Sequence, residues 1–209
     1  MKFFKQIKIN LFIFGLPLLL AVFSCNNDDS SVADQENTNL TNDDNAALLF
    51  MLEEEKLARD TYTYLGDLWN INQFSNIKKS EQSHMNAVIG LLDQYDISYS
   101  LLAYGEFNNP DIQKLYDQFI EYGSENKANA LEVGANIEDL DIVDLAKFID
   151  ATSNNTMIQV FESLQCGSRN HLRSFVNAIE LSGNTYEPQY LTQEDYTLII
   201  NDSQEQCGP

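Results

Sequence analysis

Positive charge is scarce in this chain. Twelve lysines and arginines face 32 aspartates and glutamates across 209 residues, which leaves a formal net charge of −20. So acidic a surface repels nucleic acid and anionic lipid headgroups, and it excludes both as partners. A glycine-rich phosphate loop, an internal repeat and a Ser-His-Asp order are also missing. A nucleotide site, a solenoid and a serine-hydrolase triad therefore have no footing here. Histidine occurs only twice, as His84 and His171, and cysteine only three times, as Cys25, Cys166 and Cys207. With so few, the position of each carries weight.

The extended apolar run near the start, Leu11 to Phe23, is too short for a comfortable transmembrane helix. It follows a basic start, Met1-Lys2-Phe3-Phe4-Lys5-Gln6-Ile7-Lys8, and ends at Ser24-Cys25 before Asn26-Asn27-Asp28-Asp29. Residues 1–24 read as a targeting signal. They resemble a bacterial lipoprotein signal, in which Cys25 becomes the lipidated first residue. An acidic tail after that cysteine is similar to lipoproteins of the Bacteroidetes type, where it directs export to the cell surface. The resemblance implies an outer-membrane lipoprotein of the bacterial cell envelope, held to the membrane through lipid on Cys25. An ordinary secretory signal with a chance cysteine is the alternative. Removing residues 1–24 takes away Lys2, Lys5 and Lys8 but no acid, so 9 basic residues face 32 acids and the charge falls to −23. Cys166 and Cys207 then remain in an oxidising compartment, where two thiols are expected to pair. The competing reading is a buried, inert Cys166 with an exposed Cys207.

Residues 25–43 are rich in Asn, Asp, Ser and Thr and read as a flexible acidic tether; residues 44–209 form one domain. Apolar residues recur there at steps of three and four, the spacing of helices that bury one stripe. The first helix begins near Asp43 or Asp44 as cap, with a seam of Leu48, Met51, Glu55, Ala58, Tyr62, Leu65 and Trp69. Glu53, Glu54, Lys56, Arg59 and Asp60 fall outside that seam and are expected on a solvated face. The second helix, about Phe74 to Tyr95, carries Glu81 and His84 among Ile77, Val88 and Leu91. A long connection follows, with a short helix from Pro110 to Gly123. The third main helix, about 125–149, aligns Leu131, Gly134, Glu138, Asp141 and Leu145, with Glu132, Asn136 and Asp139 placed outward. The fourth, about 155–182, aligns Phe161, Leu164, Ser168, His171 and Phe175. Thr192-Gln193-Glu194-Asp195 is a capping box opening a short terminal helix to about Ile200. The fold class is all-α, an antiparallel four-helix bundle with a crossover between helices 2 and 3.

Glu81 and His84 stand three residues apart and share a helix face. An unpaired carboxylate there costs several kcal/mol, roughly, so it must be neutralised, paired or bound to metal. Inward-facing Glu-x-x-His is the ligand pattern of di-metal carboxylate bundles.

Glu53-Glu54-Glu55-Lys56-Leu57-Ala58-Arg59-Asp60, Ser80-Glu81-Gln82-Ser83-His84-Met85, Ala130-Leu131-Glu132-Val133-Gly134 and Gly167-Ser168-Arg169-Asn170-His171-Leu172-Arg173 resemble the ferritin-like domain-of-unknown-function family 2202. The resemblance covers residues 46–200. Glu55 with Ala58 and Tyr62, followed by Glu81-x-x-His84, is more distantly similar to the first half of a rubrerythrin bundle. The resemblance implies a ferritin-like fold whose core holds iron or manganese through Glu55, Glu81, His84, Glu138 and His171, with Asp141 as an additional ligand. Ser168 departs from the di-iron pattern, which has Glu there. Tyr62 reads as a core tyrosine with a satisfied hydroxyl, and Arg169 and Arg173 as partners of acids behind the site or as surface neighbours. Two function classes follow. One is a di-metal carboxylate oxidoreductase acting with oxygen or peroxide. The other is a non-catalytic, lipid-anchored bundle with a closed polar network and no metal. A homodimer is a further candidate assembly.

A single acyl chain attaches a protein only marginally, so stable anchoring requires the multiply acylated cysteine. Cys25→Ser is therefore expected to move the protein from the membrane to the soluble fraction, and fractionation that leaves the variant with the membranes would sink the anchor.

Overall fold

The computed structural model describes residues 40–208; the targeting signal, Cys25 and most of the tether lie outside the described residues. The first helix, α1, spans Asn42–Trp69. Its cap is Thr41 rather than Asp43 or Asp44. The Thr41 hydroxyl accepts from the Asp44 amide at 3.1 Å, and the Asp44 carboxylate accepts from the Thr41 amide at 2.8 Å. Asp44 is thus the far half of a capping box, which satisfies two orphan amides at once. Asn70 then takes the left-handed conformation at φ 53°, its amide bonded to the Gly66 carbonyl, and turns the chain into α2, Asn72–Gln94.

Asparagine side chains cap the next three helices. Asn109 starts α3 (Pro110–Gly123), Asn126 starts α4 (Lys127–Ala151) and Asn154 starts α5 (Asn155–Leu181). Thr192 starts α6, Gln193–Asn201. The hairpins α1–α2 and α4–α5 pack side by side, α1 on α4 and α2 on α5, while α3 lies across α1 and α4. This is an antiparallel four-helix bundle with a long crossover, all-helical among the described residues. Leu48, Met51, Leu65, Phe74, Met85, Val88, Leu145, Phe161 and Phe175 fill its interior with no exposed surface. At Gly134 the helices come so close that a Cβ would run into the Phe175 ring.

The expectation of a solvated face on α1 is corrected. Glu53, Glu54, Lys56 and Asp60 are buried; the crossover folds over Glu53, Lys56 and Asp60, while Glu54 lies near Asp141 and Asp144 of α4. Glu53 accepts from the amides of Asn108 and Asn109, each at 2.7 Å. The Lys56 ammonium donates to the carbonyls of Ala103 and Glu106 at 2.9 and 3.0 Å and to Asp60 at 2.7 Å. Asp60 also accepts from the Gly105 amide at 3.0 Å and from Arg59. Charge-assisted bonds of this kind are about twice as strong as neutral ones, and they fix a loop that has little regular structure of its own.

A second irregular segment is held on α4. Asn136 and Asp139, expected to face outward, are buried beneath residues 186–191. Asp139 accepts from the Tyr186 hydroxyl at 2.8 Å and from the amides of Gln189, Tyr190 and Leu191 at 2.5, 3.1 and 2.7 Å. Cys166 of α5 and Cys207, beyond α6, form a disulfide with Cα atoms 5.5 Å apart and a separation of 41 positions in sequence. Closing a loop of that size stabilises by about 4 kcal/mol in the chain-entropy model. Arg169 and Arg173 reach neither the core acids nor the acidic face; both bind Glu205 in the same tail, at 2.5 and 2.8 Å.

Gly134→Ala is expected to cost about 1–3 kcal/mol, since Phe175 and its aromatic neighbours must shift to admit one methyl; denaturant unfolding measures it. The tail should respond to acid. The Arg169 hydrogen bonds, with those of Arg173, hold the Glu205 carboxyl at about 2, against partial burial. A depressed folded pKa contributes stability that is complete above the ordinary carboxylate value and lost as pH falls towards 2. Between about pH 4.5 and 2 the wild type should therefore lose roughly 1–2 kcal/mol more than Glu205→Gln, allowing for the group's partial exposure. Equal losses in the two proteins would show that the clamp contributes nothing.

Candidate metal centre

Each helix of the bundle delivers seam residues to one level of the core. Glu55 comes from α1, Glu81 and His84 from α2, Glu138 and Asp141 from α4, and Ser168 and His171 from α5. Glu55, Glu81 and Glu138 keep only 1%, 2% and 2% of their surface, and the two histidine side chains keep 11% and 12%.

Glu81 stands between the two imidazoles. One carboxylate oxygen lies 3.0 Å from His84 Nδ1 and the other 2.9 Å from His171 Nδ1. His84 Nδ1 is also 3.2 Å from Glu55, and His171 Nδ1 is 3.4 Å from Glu138. The rings stack with centroids 5.6 Å apart. Two groups result, Glu55–Glu81–His84 and Glu81–Glu138–His171, each able to bring one ligand atom per residue within 4.8 Å of the others. Glu81 belongs to both.

Proximity here is not hydrogen bonding throughout. His171 Nδ1 and the Glu81 oxygen facing it are 2.9 Å apart yet out of line, so neither has a hydrogen-bond partner among the described residues. The second oxygen of Glu55 and the Oδ1 of Asp141 are likewise buried and unpartnered. Atoms that crowd together without bonding each other are aimed at shared points between them. Oxygen and imidazole donors grouped in this way could hold a metal ion.

The surroundings fix the orientation of these side chains. The Tyr62 hydroxyl donates to Glu138 at 2.5 Å, as a satisfied core tyrosine should. The Ser168 hydroxyl donates to Asp141 Oδ2. His84 turns its Nε2 towards Ser80, 3.5 Å away, and towards Gly167, where a Cβ would stand 2.7 Å from that nitrogen. Sequence spacing did not single out Gly167. Its one signal is a glycine in a helix interior, which is costly unless close approach requires it. Glu54 was also missed as a buried acid. Burial raises its pKa well above the ordinary range, with Asp144, Asp141 and Glu55 adding repulsion.

Electrostatics divides the group. Burial opposes charge on Glu81, yet His171 and His84 overcome it and draw its pKa below the usual range. Burial pushes Glu55 well up, with Asp141 and Glu81 adding to it against the pull of His84. Burial also raises Glu138, and Glu81 reinforces that. Burial works against charge on the histidines too. Glu55 and Glu81 nevertheless raise His84, while Glu81 and Glu138 bring His171 to about 10. Burial thus disfavours charge on Glu55 and Glu138, while the facing carboxylates favour it on both histidines.

The chain is similar over residues 44–203 to the model of an uncharacterized protein domain, DUF2202. It is 44% identical over 168 residues to the uncharacterized protein MJ0754 of Methanocaldococcus jannaschii, covering 79% of this chain and 91% of that protein. The crystal structure of MJ0754 superposes with a TM-score of 0.79 at 43% identity, over 84% of this chain and all of that one. A match across the seams, the crossover and α5 leaves one assignment: the chain belongs to the DUF2202 family.

Proposed function

We propose that this protein is a ferritin-like metal-binding protein, exported and lipid-anchored, whose bundle core takes iron or manganese and acts as an oxidoreductase on oxygen or peroxide. The observation that carries the reading is the pair of carboxylate–imidazole groups sharing Glu81, with buried oxygen and nitrogen atoms that approach without bonding. Export and anchoring rest on residues 1–25 of the sequence alone.

In this reading Glu55, Glu81 and His84 would hold one ion and Glu81, Glu138 and His171 a second, Glu81 being common to both groups. Iron or manganese held there would supply one-electron chemistry towards a small oxidant. The chain supplies the rest: Tyr62 orients Glu138, Gly167 leaves room for the His84 ring, and Tyr62, Phe74 and Phe175 pack as a dry aromatic wall. Dry walls strengthen every electrostatic interaction inside them.

Metal content and unfolding temperature of the full-length protein, wild type and Glu81→Ala, test the reading. Wild type should take up iron or manganese and gain stability with metal concentration, because binding favours the native state. Glu81→Ala should lose both ions, since both groups share that residue. If wild type binds neither metal and Glu81→Ala is strongly destabilised, the polar groups are a structural network instead.

Binding should also depend on pH in a fixed direction. Glu55, Glu138, His84 and His171 all hold their protons more tightly than usual, and ligation requires those protons to leave. Affinity for Mn(II) should rise between about pH 6 and 8, with proton release. Calorimetry in buffers of different ionisation enthalpy measures both, and a pH-independent affinity would refute the ligand set.

A further inference from the structure

Four helices each give the core one main acid in the resembled di-iron pattern, but α5 presents Ser168 at the position of its acid. Ser168 is 1% exposed and directs its hydroxyl to the Oδ2 of Asp141, one α4 turn beyond Glu138. The Leu164 carbonyl is a second acceptor for that one proton, at 3.0 Å, and Asp141 is the closer. Asp141 Oδ1 is buried with no partner among the described residues.

The buried carboxylates that hold the two irregular segments behave differently. Asp139 uses one oxygen for the Leu191 amide and the other for Tyr186, Gln189 and Tyr190. Glu53 and Asp60 also have both oxygens occupied. These loop-holding carboxylates are thus satisfied at both ends. Asp141 keeps a buried oxygen without a partner among the described residues, as do Glu54, Glu55 and Glu81, and it is close enough to repel Glu55, Glu81 and Glu138.

Charge gives a second reason. Glu55, Glu81 and Glu138 carry three negative charges when ionised, and the imidazoles ligate as neutral groups. Two divalent ions bring four positive charges. In a dry core an uncompensated charge is costly, and one further carboxylate balances the count.

We infer that Asp141 is the fourth carboxylate of a two-ion centre, in place of the acid missing at Ser168, and that Ser168 is the residue that positions it. This rests on the metal-binding reading above and goes beyond it, since the two triads alone omit Asp141.

Titration of the full-length protein with Mn(II) alone, followed by calorimetry and by the spin-coupled paramagnetic resonance signal, reads out both ions. Wild type should bind two equivalents per chain with coupled ions. Asp141→Asn should keep the first ion and weaken the second at least tenfold, with loss of the coupling. Ser168→Ala should keep two ions and weaken the second by about tenfold, the usual cost of removing a ligand's hydrogen-bond partner. In Asp141→Asn the double change with Ser168→Glu should recover the second ion, which a merely structural Asp141 would not allow. Unfolding of metal-free Asp141→Asn should be no easier than wild type, which confirms that the variant folds. Two ions bound by Asp141→Asn at wild-type affinity would overturn the inference and leave the metal site standing. A single ion in wild type would also overturn it, whereas no ion in wild type would remove the metal reading itself.

Discussion

Five ionisable side chains and a sixth group, the Asp141 carboxylate, must share a core that water hardly reaches, and the rest of the fold accommodates that constraint. A lone carboxylate in such a place would be neutralised or would unfold the protein. Glu81 keeps its charge only because an imidazole faces each of its oxygens. The two histidines in turn keep theirs only because acids from α1, α2 and α4 surround them. No helix can be displaced without stranding a charge delivered by another. The bundle is therefore fixed in register by its polar centre as well as by apolar packing above and below it.

Away from the centre the same chemistry is used to hold loops. Glu53, Lys56 and Asp60 accept or donate to the backbone of the crossover, and Asp139 gathers three consecutive amides of the segment before α6. These segments contribute little apolar surface, so hydrogen bonds to charged groups take over the role of a core. The cost of burying each charge is met by several short bonds.

That division explains what was legible in the sequence. Seams of three and four located the four main helices to within a few residues, and Pro110, Gly123 and the capping box at Thr192 located the two short ones. They also put Glu55, Glu81, His84, Glu138 and His171 on inward faces, where the structure brings them together. The burial of Glu53, Lys56 and Asp60 was not legible, because they bind backbone groups about fifty residues away that no local period records, and that of Glu54 because it depends on α4 nearly ninety residues on. Asn136 and Asp139 were misplaced for the same reason: Tyr186 and the residues after it cover them. The Thr41 cap was missed by two residues because Asp44, which does take part in the capping box, looked like the cap itself.

The anchor at Asp139 has a consequence for the order of folding. It joins positions about fifty residues apart, and the disulfide and the Glu205 clamp join α5 to residues 32 to 41 further on. Such distant contacts cost loop-closure entropy before they return anything, so they form after the local hairpins. On a growing chain, α4 would leave the synthesis machinery with Asp139 still lacking all four of its donors. The last two dozen residues thus act as a late-arriving fastener, and a chain that stops short of them would carry every residue of the centre while leaving Asp139 uncovered.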